Sequence, residues 1–389
     1  MSTPSDNTDI WVLAGQSNMQ GCGLLQGALA PDERVSCFTT AGEWGAGEEP
    51  LHRLWESFAP VHQNLMRPSL IEEQRELSDA EIAAIERAQN PAGAGLGLAF
   101  GRALSDATNR HVGLVPAAHG GTTLEQWSQH LKGEGSNSLY GAMLERIRRA
   151  GGNLQGVLWY QGESDATPEF AATYAERFDQ WIAALRADLE MPELPVIVVQ
   201  IGCVAQCPGV VEGWQAECWE QVREALATLP ERTPHTAVAS AIDLGLDDSI
   251  HIHTAGLVRL GWRLARLALN LTQGNGGGPR VERIVEVKDT RGYGAARVEC
   301  SNVAKSWSPR EHIGGFEVRR SDGERHTSIC VLNARTDEAD PTGIHVLLSA
   351  PPDENCFLGY GLGLNPYCNA VDAADMSLPA FLPRTIEGE

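Results

Sequence analysis

Lysine is nearly absent from this chain of 389 residues, occurring only at Lys132, Lys288 and Lys305. Arginine supplies the remaining positive charge, and 30 Lys+Arg against 51 Asp+Glu leave a formal net charge of −21. Phosphate-backbone binding needs clustered basic side chains, so nucleic acid is not an expected partner. Long apolar runs are also missing: no stretch approaches the roughly 20 residues of a membrane span, so no membrane partner is expected. The start, Met1 to Asn7, is polar and lacks a basic-then-apolar signal pattern. The expected location is the cytoplasm, or a secreted or periplasmic one should a leader have been trimmed. The nine cysteines contain no CxxC pair. Cys203 and Cys207 are the closest pair, without the His or Cys partners of a zinc site. Reduced structural thiols are expected, with a disulfide among Cys203, Cys207 and Cys218 as the alternative. No metal and no organic cofactor is implied.

What is present is organised around Ile10 to Gly21. Ile10 to Ala14 reads as a short buried strand, and Gly15-Gln16-Ser17-Asn18 then turns sharply. A serine just past a central strand is where α/β enzymes present a nucleophile, and Gly15 leaves room for the bend. Alone, the tetrapeptide also fits a turn with Ser17 capping the next helix. Three later stretches decide for the nucleophile.

Further strands are expected over Arg34–Thr39, His111–Ala118, Gln155–Tyr160, Pro195–Ile201 and Thr236–Ile242. Helices are expected over Ser78–Gln89, Gly95–Ala107, Ser138–Arg149, Glu169–Leu189, Val211–Leu229 and Thr254–Leu271. This alternation implies a parallel sheet covered on both faces. Gln273 to Pro279 is glycine-rich and reads as a linker. Beyond it short β-type runs recur with turn signals between them, as in a β-sandwich. Two domains are expected, 1–272 and 279–389.

In an open parallel sheet, ligands bind outside the carboxyl ends of the strands. Those ends carry Ser17, the Gly120-Gly121 turn and Gln161-Gly162-Glu163. Before the last helix comes Asp248-Ser249-Ile250-His251, which puts a carboxylate and an imidazole on one short loop. Asp248 can then hold one ring nitrogen while the other faces the serine.

These blocks resemble the SGNH hydrolase superfamily, more narrowly its sialate O-acetylesterase and acetylxylan esterase branch. Ile250-His251-Ile252-His253-Thr254-Ala255-Gly256, with Leu260 to Ala265 after it, resembles that branch's His loop and closing helix. Leu139-Tyr140-Gly141-Ala142-Met143 and Tyr360 to Pro366 are also similar to it. The resemblance implies an α/β/α sandwich with a parallel five-stranded sheet and a C-terminal β-sandwich. It implies a serine carbohydrate esterase that removes O-acetyl groups from sugars through an acetyl-serine. Ser17 would be the nucleophile and His251 the base, with His253 the less favoured imidazole. The acid is open between Asp248, which the local spacing favours, and Glu163. The oxyanion hole would be Ser17 N–H, an N–H of Gly120 or Gly121, and the Gln161 amide. Gln16, Asn18, His119 and Trp127 are candidate substrate contacts, and Trp159 a weaker stacking platform; core tryptophans are the alternative. The expected partner is an acetylated carbohydrate, either a sialic acid or xylan or another neutral glycan; the net charge favours a neutral one. An SGNH lipase or thioesterase, or a non-catalytic carbohydrate-binding protein on this scaffold, are the rival readings. Oligomeric state is not legible.

Overall fold

The computed structural model describes residues 8–66, 93–206, 213–274, 277–289 and 291–388. The helix expected over Ser78–Gln89 and the residue Cys207 lie outside them.

Among the described residues the main sheet has seven strands: β1 (Thr8–Gly15), β2 (Val35–Phe38), β3 (Trp44–Ala46), β4 (His111–Pro116), β5 (Asn153–Tyr160), β6 (Val196–Gln200) and β7 (Thr236–Ser240). Their order is β3-β2-β4-β1-β5-β6-β7. The expectation of five strands is therefore too low. Six strands run parallel, and β3 pairs antiparallel with β2 at the edge. That short strand carries Gly45 and alternates too little to be seen as periodicity.

The order explains where a site can form. The chain runs from β1 out to β2 and β3, returns to β4 beside β1, then crosses to β5 on the other side. The switch point is at β1, and the loops after β1, β4 and β5 diverge there. β1 is buried along its whole length, as a central parallel strand must be.

The expected helices form with small shifts at their ends: Gly97–Thr108, Leu139–Ala150, Tyr174–Asp188, Ala216–Ala227 and Thr254–Thr272. Ser138 caps the second of these by accepting from Gly141 N at 3.1 Å. Trp159 from β5 packs on Trp181 and Phe178, with ring centroids 4.4 and 5.3 Å away, in a fully buried aromatic cluster.

Past the glycine-rich stretch the regular elements among the described residues are strands: β8 (Arg280–Glu286), β9 (Gly294–Ser301), β10 (Trp307–Ser308), β11 (Phe316–Arg319), β12 (Val331–Thr336), β13 (Ile344–Leu348), β14 (Phe357–Tyr360), β15 (Val371–Asp372) and β16 (Phe381–Thr385). They form antiparallel sheets of order β12-β13-β9-β8 and β11-β14-β16, with a β10-β15 pair. Val298, Ile344, Val346, Leu358 and Tyr360 form a second core, which also takes in Cys203 and Ile242 from beyond the ends of β6 and β7.

Candidate active site

The serine turn is held by backbone. Gly15 has φ +130°, and a Cβ there would lie 2.1 Å from Tyr160 O of β5, so only glycine brings the two strand ends this close. Gln16 N then donates to Tyr160 O at 2.8 Å. The side-chain oxygen of Gln16 accepts from Gly162 and Ser164 N–H at 3.4 and 3.2 Å, tying the turn to the loop after β5. Ser17 begins a single helical turn, Ser17–Gln20, and is partly exposed.

Asn18 joins three elements. Its Nδ2 donates to Glu163 Oε1 at 2.9 Å and to Ile250 O at 3.3 Å, and its Oδ1 accepts from Ile252 N at 3.0 Å. The backbone on both sides of His251 is thus fastened to the residue after Ser17. Within that loop Asp248 Oδ2 lies 2.6 Å from His251 Nδ1, and Asp248 Oδ1 accepts the N–H groups of Ile250 and His251 at 2.8 and 2.7 Å. The carboxylate accepts, so one proton is fixed on Nδ1, and Nε2 is the nitrogen that gains or loses the other. His253 does something else: its Nδ1 accepts from Gly256 N and caps the helix Thr254–Thr272.

The electrostatics separate the two candidate acids. Partial burial works to raise Asp248, but the hydrogen bonds from His251 and from two backbone N–H groups hold it below its ordinary value. Glu163 is buried and its pKa is raised, chiefly by desolvation. It makes no bond to His251, and its Oε2 has no partner among the described residues. Burial also works against a charged His251, yet the adjoining Cys22 and Asp248 side chains outweigh it and raise the imidazole to about 9. Cys22, whose Sγ lies 3.5 Å from Ser17 O, is a neighbour that sequence reading missed. Its place one helical turn beyond the serine was the available signal.

Several of the expected site groups are already engaged in hydrogen bonds within the protein. Gln161 is fully buried, and its Nε2 donates to Thr122 O at 3.1 Å and Asp165 Oδ2 at 2.6 Å. Its Oε1 accepts from the Tyr174 hydroxyl at 3.0 Å. Both amide protons are spent, so it is a strut under the Thr122 loop and not a free oxyanion donor. The Gly120 N–H is likewise engaged, by Gln20 Oε1 at 2.8 Å. The N–H groups of Ser17 and Gly121 have no acceptor among the described residues.

Trp127 is fully buried, donates to Thr122 Oγ1 and stands edge-on to Trp159, so neither ring offers a face to a sugar. Asn18 and Gln16 are buried ties, not substrate contacts. His119 is also buried; its Nδ1 lies 2.9 Å from His62 Nδ1, and the two rings stack. Desolvation lowers His119 to about 4, and His62 falls well below its ordinary value. The pair is therefore neutral at pH 7, with one nitrogen donating to the other. It anchors the start of the Gly120-Gly121 turn from beneath.

Among the described residues no group of His, Cys, Asp and Glu could hold a metal ion, and no helix is long and apolar enough to cross a membrane.

An open α/β sheet carrying a serine turn and an Asp–His loop at its carboxyl edge belongs to the class of carboxylic-ester hydrolases. A family model described as carbohydrate esterase, sialic acid-specific acetylesterase, matches residues 7–270, and the chain belongs to that family. A probable carbohydrate esterase of Arabidopsis thaliana is 28% identical over 292 residues, 69% of this chain and 94% of that protein. A solved Arabidopsis structure superposes with a TM-score of 0.50 over 67% of this chain and 98% of that one, at 28% identity. Human sialate O-acetylesterase is 25% identical over 277 residues, covering 62% of this chain but only 48% of that protein. A carbohydrate acetylesterase of Xanthomonas citri has the same fold, with a TM-score of 0.66 and 23% identity over 96% of this chain and 80% of that one.

Proposed function

We propose that the chain hydrolyses O-acetyl esters of carbohydrates through an acetyl-serine on Ser17. His251 Nε2 takes the Ser17 proton as Oγ attacks the acetyl carbonyl. The Ser17 and Gly121 N–H groups donate to the oxygen as it becomes an alkoxide. Collapse breaks the C–O bond to the sugar, whose hydroxyl leaves with the proton from His251. Water then attacks the acetyl carbonyl as His251 takes its proton, the bond from that carbon to Ser17 Oγ breaks, His251 returns the proton to Oγ, and acetic acid departs to ionise as acetate. Asp248 fixes the imidazole tautomer and stabilises the imidazolium. The observation that carries this reading is the strap from Asn18 to Ile250 and Ile252, which seats the Asp248–His251 pair beside the serine turn.

Charge supports one class of substrate over the other. Asp247 and Asp248 are both exposed on this loop, in a chain of net charge −21. That field favours an acetylated neutral sugar over a carboxylated one. Residues 1–272 would carry the catalytic groups of the esterase, and 279–389 would form a β-sandwich. The test measures acetate release from acetylated xylan, acetylated monosaccharides and O-acetyl sialic acids. Ser17→Ala should fold normally and lose about 10⁴-fold in kcat. Retention of more than about a hundredth of wild-type kcat would refute the nucleophile. Faster turnover of long acyl esters than of acetyl esters would move the protein to the lipases or thioesterases.

A further inference from the structure

Arg223, on the helix Ala216–Ala227, is 1% exposed. Among the described residues no carboxylate stands within ion-pair distance of it. All five of its N–H groups go instead to backbone carbonyls. Nε donates to Ile201 O at 3.3 Å and Nη2 to Gly202 O at 2.6 Å, both in the turn that follows β6. Nη1 donates to Gly361 O and Gly363 O at 3.1 and 2.5 Å, and Nη2 also to Leu364 O at 3.2 Å. A guanidinium so placed joins two loops about 160 residues apart with every donor used, which the single nitrogen of a lysine cannot do. Burial lowers it only to about 10, so it stays charged at neutral pH.

The loop it captures continues toward the site. Leu364 O also accepts from Val204 N at 3.0 Å, and the next N–H, of Ala205, donates to Ser249 O at 2.7 Å. Ser249 stands between Asp248 and Ile250 in the His251 loop. The start of that loop is held separately: Arg263 binds Asp243 Oδ1 and Oδ2 at 2.7 Å each and donates to Asp375 O at 2.6 Å. Both supports of the Asp248–His251 segment on this side thus reach back into residues 361–375.

We propose that Arg223 is a positioning residue of the esterase reaction. It clamps the loop Gly361–Leu364 onto residues 201–205, and through Ala205 N–H sets the place of Ser249 and so of the Asp248–His251 pair. The C-terminal strands are then a structural part of the esterase site and not a detachable accessory. The inference rests on the reading of Ser17, His251 and Asp248 given above. An imidazole displaced by about 1 Å loses up to about 100-fold in rate while leaving ground-state binding nearly intact.

The test uses the full chain with Arg223→Lys, which keeps the charge but not the fork. It adds Ala205→Pro, which removes the last N–H of the relay and leaves the Arg223 bonds in place. Val298→Ala, in the C-terminal core, controls for lost stability. Melting temperature, kcat, KM and the pH dependence of kcat/KM are measured with 4-nitrophenyl acetate. For Arg223→Lys and Ala205→Pro, kcat should fall about 10- to 100-fold with KM within about threefold. The midpoint of their acidic limb should move down toward the ordinary imidazole value as Asp248 and His251 loosen. Val298→Ala should lower the melting temperature alone. Unchanged kcat and an unchanged midpoint in Ala205→Pro would overturn the proposal, even if Arg223→Lys fails to fold. Activity surviving in Ser17→Ala would instead defeat the underlying reading of the site.

Discussion

Asp248 and His251 are joined twice: the carboxylate binds the ring through Oδ2 at 2.6 Å and the same residue's backbone N–H through Oδ1 at 2.7 Å. Ring and main chain are therefore held by one side chain: the backbone bond fixes where the carboxylate sits, and the imidazole cannot turn away without giving up its bond to Oδ2. Glu163, the rival acid, is spent on Asn18 Nδ2, which carries the loop's carbonyl at Ile250. The two carboxylates therefore hold the same histidine in different ways. One touches its ring, and the other acts through Asn18.

Substituting Asp248→Asn offers Nδ1 a donor in place of an acceptor, which favours the wrong tautomer. The expected loss is about 10⁴-fold in kcat. Glu163→Gln should cost less than about tenfold, because it retains an oxygen for Asn18 Nδ2 and makes no hydrogen bond to the ring. Steady-state kinetics on the two variants checks the order, and the reverse order would transfer the acid to Glu163.

Gln161→Ala should act on stability before chemistry. It leaves Thr122 O without its buried partner, and takes one of two partners from Asp165 Oδ2, which keeps Leu124 N–H, and from the Tyr174 hydroxyl, which keeps the backbone carbonyl of residue 161. Each loss of this kind costs about 1–3 kcal/mol. Urea unfolding should show this as a lower midpoint, with kcat falling only as the Thr122 loop loosens. An unshifted midpoint with a 10²–10³-fold drop in kcat would instead mark Gln161 as an oxyanion donor.

Activity should rise with pH over an unusually alkaline range. A general base must be unprotonated, and Cys22 and Asp248 raise His251 to about 9 against the opposing effect of burial. The kcat/KM of the free enzyme should climb from neutral pH and level off above that value. Asp248→Asn and Cys22→Ala should each move the midpoint down. The effect on stability has the opposite sense: the raised pKa contributes most below the unfolded value of about 6.5 and is lost as pH rises through the folded one. A pH–rate profile already flat by pH 7 would contradict the assignment.

The His62–His119 pair should make itself felt in acid. Both pKa values are lowered by burial, so below about 6.5 the unfolded chain takes up protons that the folded chain refuses. Stability drawn from this pair is full above that value and is lost as pH falls. His62→Phe removes one such group, so its deficit in melting temperature against wild type should shrink between pH 7.5 and 4.5. A constant or growing deficit over that range would show that His62 does not resist protonation.

Much of this was legible because it is local. Apolar runs of the right length mark the parallel strands, and Ser17 sits just past the first of them. The spacing of Asp248 and His251 lets one loop hold acid and base together. Where the chemistry depends on which atom faces which, sequence order is silent. Gln161 has the residue type of an oxyanion donor, but its amide is consumed by Thr122 and Asp165, a choice made by how the loop after β4 packs on β5. Trp127 stands in a polar stretch yet is drawn wholly into the aromatic core by Trp159 and Trp181. Arg223 looks like any helix arginine until carbonyls about 140 residues away close around it. The sequence by itself determined the βα order and the presence of the Asp–His loop, since backbone periodicity and short-range spacing decide those. Tertiary structure alone decided which donors are left free and what holds the loop in place, because a hydrogen bond is claimed by whichever partner the packing brings within about 3 Å.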